Sequence, residues 1–205
     1  SRSAISSSAV KELCRFQGFT HEYVTARVKE ALERRLTRQV IVGLTGGIAC
    51  GKSHLARLLV ETGRSRGVAV HNIDLDEIAH DILLGRGEPV YRQLRGEICS
   101  AFGLREVQRK ALGDMVFADP RKLTRLNAMM RTPLLTRLRA ALAGKEGLVL
   151  INAALLIEAD LLFLCNNNVI VVTADHDVRL RRLAARGLDA VQVQRRLGSQ
   201  FTTEE

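Results

Sequence analysis

Between residues 46 and 53 the chain reads Gly46-Gly47-Ile48-Ala49-Cys50-Gly51-Lys52-Ser53, the G-x-x-x-x-G-K-S spacing of a phosphate-binding loop. Such spacing serves polyphosphate chemistry. Backbone N–H groups must converge on phosphate oxygens, and glycines permit conformations and close approaches that a side chain blocks. Lys52 supplies a mobile cation for the β- and γ-phosphates of ATP, and the Ser53 hydroxyl can ligate the Mg2+ that bridges them. The following helix, which His54 enters, adds N–H groups and the positive end of its dipole. Cys50 is either an oxidisable thiol or a small loop filler.

A pair of carboxylates comes next. Val68–Ile73 has the pattern of a short strand that ends in Asp74-Leu75-Asp76, and ligands of open parallel α/β sheets bind at the carboxyl ends of strands. Side chains alternate along a strand, so one of the two carboxylates would face the loop if strand geometry persists. One can accept the proton of an acceptor hydroxyl while the other caps a helix or orders Mg2+ through water. Alternatively, both merely cap a helix starting at Glu77. Further on, Arg179, Arg181, Arg182 and Arg186 crowd a helix expected over Asp175–Arg186. Such arginines suit a lid that neutralises a transferring phosphoryl group, the remainder forming an exposed basic face.

The elements that must hold these groups follow from periodicity. Val40–Val42 with Leu44 forms an apolar run typical of a buried parallel strand, as do Leu148–Asn152 and Asn168–Thr173. A helix from Lys52 to Thr62 should turn Leu55, Leu58 and Leu59 to the sheet, with Gly63 and Gly67 making the turn after it. The expected fold is α/β, a three-layer α/β/α arrangement of the P-loop NTPase type around a parallel sheet. Residues 77–143 form a helical insertion with apolar repeats such as Ile78, Ile82 and Leu83, Val90, Leu94 and Ile98, and Leu112, Met115 and Val116. Its arginines, among them Arg92, Arg95, Arg125 and Arg137, suit phosphates, although most are expected on solvated surface. Residues 175–200 are the lid region.

Residues 1–38 differ in pattern. Ser6, Ser7 and Ser8 can cap a helix beginning near Ala9, with Val10, Leu13 and Phe16 on one side and Gly18 at its end. A second helix, Glu22–Leu36, carries Val24, Val28, Leu32 and Leu36 as its apolar stripe, with Lys29, Glu30, Glu33 and Arg34 elsewhere on its circumference. Two short helices cannot bury such faces alone and must pack on something.

Composition bounds the rest. With 205 residues, 46% apolar and 26% charged, the chain has the makings of one sizeable core. No run approaches the roughly 18 apolar residues of a membrane span, and the polar start lacks a signal peptide's apolar core, so a cytoplasmic location without membrane contact is expected. Cys14, Cys50, Cys99 and Cys165 are scattered, without zinc or C-x-x-C spacing, which suits reduced thiols. A net charge of +9 suits nucleic acid or a polyanionic small molecule alike. Aromatics at 4% without Trp supply few stacking platforms, so no nucleic-acid partner is expected.

Taken together, Leu44-Thr-Gly-Gly-Ile48 with Gly51-Lys-Ser53, Ile73-Asp-x-Asp-Glu-Ile-Ala-His80, Arg109-x-x-Leu112, Val116-Phe-x-Asp119, Leu126-Asn-Ala128, Leu155-Leu-Ile-Glu158 and Arg182-Leu with Arg186-Gly-Leu188 resemble the dephospho-coenzyme A kinase family. The resemblance implies transfer of the ATP γ-phosphate, with Mg2+, to the ribose 3′-hydroxyl of dephospho-coenzyme A. It makes Asp76 the expected general base with Asp74 beside it, assigns the phosphates to Gly46–Ser53, and matches Arg182 and Arg186 to lid positions. Ala49 stands where the family's loop usually has glycine, His54 where Thr is common, and Ala154 where its Pro-Leu-Leu-x-Glu run has proline. The family continues past Gln200 with a final strand and helix, so four core strands are expected here. Another P-loop kinase of nucleosides or small alcohols, or a binding module without phosphoryl transfer, remains an alternative.

The first segment has a resemblance of its own. Ile5-Ser-Ser-Ser-Ala-Val-Lys-Glu-Leu13, Phe16-x-Gly18 and Tyr23-Val24-x-x-x-Val28-x-x-x-Leu32 are similar to the C-terminal end of bacterial phosphopantetheine adenylyltransferase. That similarity implies a bifunctional protein in which 1–38 packs on an adenylyltransferase domain and 39–205 is the kinase domain.

Overall fold

The structure is a computed structural model and describes residues 5–185 and Val193. Helices α1 (Ser7–Arg15) and α2 (Ala26–Leu32) precede strand β1 (Gln39–Thr45), and α3 (Lys52–Ser65) leads to β2 (Val70–Asp74). Four helices follow: α4 (Leu75–His80), α5 (Pro89–Phe102), α6 (Arg109–Phe117) and α7 (Pro120–Leu142). Strands β3 (Gly147–Asn152) and β4 (Val169–Val171) and helix α8 (His176–Ala184) complete the order. No helix among the described residues is long and apolar enough to cross a membrane. The chain divides into two compact units, one of Ser1–Gly46, Gly51–Asp74 and Leu138–Val172, the other of Gly47–Cys50, Leu75–Arg137 and Thr173–Glu205.

The first unit is built on a parallel sheet of order β2-β3-β1-β4. This is the α/β fold that the strand and helix runs predict. Leu44 and Leu150 are fully buried against Ala56 of α3, with Val42, Leu55, Leu59, Val70 and Leu148 around them. Burying a leucine in this way is worth about 1.5–3 kcal/mol. Three expectations need correction here. Leu58 is exposed, because the small Ala56 takes the position nearest the sheet. Gly63 lies inside α3, and the turn is made at Gly67, where φ is +67°. Strand β4 is short and on the edge, leaving Ile170 and Val171 exposed instead of buried on both faces.

The N-terminal helices belong to this unit. The Ser6 hydroxyl accepts from the Ala9 N–H at 3.2 Å and starts α1. The helix ends at Arg15, before Phe16, which is therefore 73% exposed and not part of the apolar side. Helix α2 ends at Leu32 and gives way to a π-helical turn over Glu33–Thr37. Its stripe is not the apolar one expected: Val28 is exposed, while Lys29 and Glu33 point inward. The reason is a closed polar network. Lys29 Nζ lies 2.6 Å from Glu33 Oε1 and donates to Asn166 Oδ1 at 2.9 Å and to Leu164 O at 3.2 Å. Asn166 Nδ2 in turn donates to Glu33 Oε2 at 2.6 Å. Gln39, also buried, donates to Leu142 O and Lys145 O and accepts from Gln17 and Thr37.

The second unit has its own core of Ile82, Tyr91, Leu94, Ile98, Phe102, Leu112, Val116 and Met130. On α5 the buried stripe runs through Tyr91; Val90, expected inside, is 61% exposed because it lies in the first turn, off the face that Tyr91, Leu94, Ile98 and Phe102 bury. Two arginines expected on solvated surface have structural partners. Arg95 donates to Ile82 O at 3.0 Å and Arg86 O at 2.7 Å, satisfying carbonyls at the end of the π-helical turn Asp81–Gly85. Arg125 donates to Ala101 O at 3.3 Å beside the Phe102 ring.

Candidate functional site

The phosphate-binding sequence has the strand–loop–helix context its chemistry requires. Strand β1 is interior to the sheet and ends at Thr45, whose carbonyl accepts from the Val172 N–H at 2.8 Å. That bond brings the β4 backbone against the loop's first glycine. Gly46 has φ +139°, and a Cβ there would stand 2.1 Å from Val172 O. Between Gly47 and Cys50 the chain turns, the Cys50 N–H donating to Gly47 O at 3.2 Å. Ala49 adopts φ +63°, a left-handed conformation that costs an alanine about 1–3 kcal/mol and that explains why glycine would serve there. Gly51, at φ +109°, hands the chain to α3 at Lys52.

Lys52 Nζ donates to Gly46 O at 2.7 Å. Ser53 is exposed in the first turn of α3, and so is His54, whose Nδ1 lies 3.1 Å from Arg57 Nη2. Cys50 is buried, which suits a loop filler better than an accessible thiol, and all four cysteines are free.

The carboxylate pair is arranged differently from a simple alternation. Strand β2 stops at Asp74 and α4 begins at Leu75, so Asp76 is a first-turn helical residue. Asp74 is a strand residue in register with Asn152 of β3. Asn152 Nδ2 donates to Asp74 Oδ2 at 3.1 Å. The Asn152 side chain is 1% exposed, and its Oδ1 is buried without a hydrogen-bond partner among the described residues. The sequence places Asn152 at the end of the third strand and assigns it no role in the site. The signal that marks it is a lone amide closing the apolar run Leu148-Val-Leu-Ile151 at a strand's carboxyl end.

Helix α8 approaches the loop within the second unit. Leu183 is fully buried with Ala49 and Ile48. Arg182 Nη1 donates to Ala49 O at 2.9 Å and to Cys50 O at 3.1 Å. Arg179 Nε donates to Ile48 O at 3.1 Å. Arg182, expected as a lid residue, is thus seated on loop carbonyls, and Arg179, another of the four arginines from which a lid is expected, joins it. Among the described residues Arg181 donates only to Asp177 O of its own helix, at 3.4 Å. Arg186 lies outside the described residues.

A family model described as CoaE, dephospho-CoA kinase, matches residues 40–205. Among curated proteins, the dephospho-CoA kinases of Dehalococcoides mccartyi and Leifsonia xyli subsp. xyli are 37% and 36% identical to the chain over 177 residues. The first match covers 80% of this chain and 82% of the relative, the second 80% and 83%. A solved structure from Thermus thermophilus, 30% identical, superposes with a TM-score of 0.61 over 82% of this chain and 83% of that one. The match begins one residue into β1 and runs through the loop, the carboxylates and α8, so by sequence the chain belongs to the dephospho-CoA kinase family.

Proposed function

We propose that the chain is an ATP-dependent kinase that phosphorylates the ribose 3′-hydroxyl of dephospho-coenzyme A. The observation that carries this reading is the Gly46–Ser53 loop set between an interior parallel strand and a helix that opens on Lys52, inside a chain of this family. In the reaction Lys52 exchanges Gly46 O for the β- and γ-phosphate oxygens. Asp76 takes the proton of the acceptor hydroxyl while the hydroxyl oxygen bonds to the γ-phosphorus. The bond from that phosphorus to the bridging oxygen breaks, and ADP leaves. Asp74, held by Asn152, orders the surrounding water or hydroxyl, and Arg182 and Arg186, which the family resemblance matches to lid positions, are assigned to the charge that develops. The Ser53 hydroxyl, exposed in the first turn of α3, would hold Mg2+, since such sites combine one or two protein oxygens with phosphate; the ion would supply neutralisation of phosphate charge.

Residues 39–205 form the kinase domain in this reading, with 77–143 as the acceptor-binding insertion and 175–200 as the lid. The resemblance of 5–36 to the adenylyltransferase terminus supports placing the kinase in a bifunctional protein, with the side of the N-terminal helices turned away from the sheet packing on an adenylyltransferase domain.

The test is ADP release from Mg-ATP with and without dephospho-coenzyme A, on the protein and on Asp76→Asn. Acceptor-dependent turnover should fall by about 10²–10⁴ in the variant, the usual worth of a general base, with ATP affinity retained. Turnover within threefold of the parent removes Asp76 as the base. Turnover of a nucleoside in place of dephospho-coenzyme A overturns the substrate.

A further inference from the structure

We propose that Arg179 is a phosphate ligand for the nucleotide, anchored to the loop through Nε and presenting its two Nη groups over Gly47. The proposal rests on the kinase reading above and adds to it a residue outside the family's lid pair.

The geometry gives two arginines of α8 different places at the loop. Arg182 is exposed, and its Nη1 is committed to two carbonyls, Ala49 O and Cys50 O. Its contacts brace the loop. Arg179 is half-buried and uses only Nε, on Ile48 O. An arginine has five N–H donors, so four remain without an acceptor among the described residues. No carboxylate comes within salt-bridge distance of it among those residues either. A partly desolvated cation without a counter-charge is unfavourable by itself and favourable beside an anion.

The position is also built. Arg179 stands four residues before Leu183, hence on the same face of α8, and Leu183 is fully buried against Ile48 and Ala49. The packing of Leu183 therefore fixes where the guanidinium lies. A Cβ at position 47 would stand 2.5 Å from Arg179 Nη2, so the glycine is what admits the guanidinium to the backbone of a phosphate-binding turn. A planar fork held at one nitrogen and open at the other two matches the bidentate geometry of phosphate oxygens, and a lysine cannot provide anchor and fork together.

Equilibrium titrations with Mg-ATP and with inorganic tripolyphosphate test this on the protein, Arg179→Gln and Arg179→Lys, alongside melting curves without ligand. Arg179→Gln should bind both ligands about 10- to 100-fold more weakly, by the same factor for each, with Arg179→Lys intermediate and the unliganded melting temperatures unchanged. Unchanged ATP affinity in both variants overturns the proposal. So does a weakening matched by a lower unliganded melting temperature in both, which would make Arg179 a structural brace. A parent protein that fails to bind ATP at all would instead remove the kinase reading beneath it.

Discussion

Lys29→Met probes whether the segment ahead of the family match is part of the kinase fold. The Lys29 and Glu33 side chains are only 5% and 11% exposed, and Asn166 closes the network between them. Methionine keeps the length of the lysine and removes its charge. Glu33 is then left as a buried carboxylate with one amide donor, and Leu164 O and Asn166 Oδ1 lose theirs. Breaking a buried pair from one side costs about 3–5 kcal/mol, whereas an exposed pair is worth about 0–1 kcal/mol. At about 2–4 °C per kcal/mol for a chain of this size, the melting temperature should fall by roughly 6–20 °C. Lys29→Met combined with Glu33→Leu should cost less, because no buried charge is left and the groups still stranded, the Asn166 amide and Leu164 O, are neutral. Urea denaturation of the two single variants and the double variant gives the coupling directly. A loss below about 1 kcal/mol for Lys29→Met would show the pair to be solvated and would refute the reasoning. The effect should also reach the sheet, since Asn168, two residues beyond Asn166, accepts from the Gly43 N–H of β1 at 2.8 Å.

Two further outcomes concern the site. Gly46→Ala places a Cβ against the Val172 carbonyl, which is backbone and cannot swing away, so the loop must shift. Acceptor-dependent turnover should fall about 100-fold, the penalty of a misplacement of about 1 Å, and turnover within threefold of the parent would show the loop to be adaptable. Asn152→Leu removes both the orphaned Oδ1 and the donor to Asp74. Stability to urea should hold or rise by about 1–3 kcal/mol while turnover falls, because an unsatisfied buried acceptor is relieved as Asp74 loses its holder. A variant that is both less stable and fully active would contradict that assignment.

The sequence by itself determined the chemistry. Gly46, Gly51, Lys52 and Ser53 are consecutive or nearly so, and a phosphate loop is a local device whose residues need only strand and helix on either side. The apolar runs at Val40–Val42 and Leu148–Ile151 were legible for the same reason: a strand interior to a parallel sheet is covered on both faces and writes that into consecutive residues. Val169–Val171 has the same composition, yet lies at the edge, because strand order is set by partners far along the chain. Only tertiary structure decided which polar groups turn inward. Lys29 and Glu33 lie on a helix whose apolar spacing pointed the other way, and they are buried because Asn166, more than 130 residues on, completes their hydrogen bonds. Asn152 became a holder of Asp74 through the register of β2 with β3. Arg179 and Arg182 parted roles through the burial of Leu183 against the loop. In each case the deciding energy is the desolvation of a polar group, and whether a partner meets it depends on residues distant in sequence.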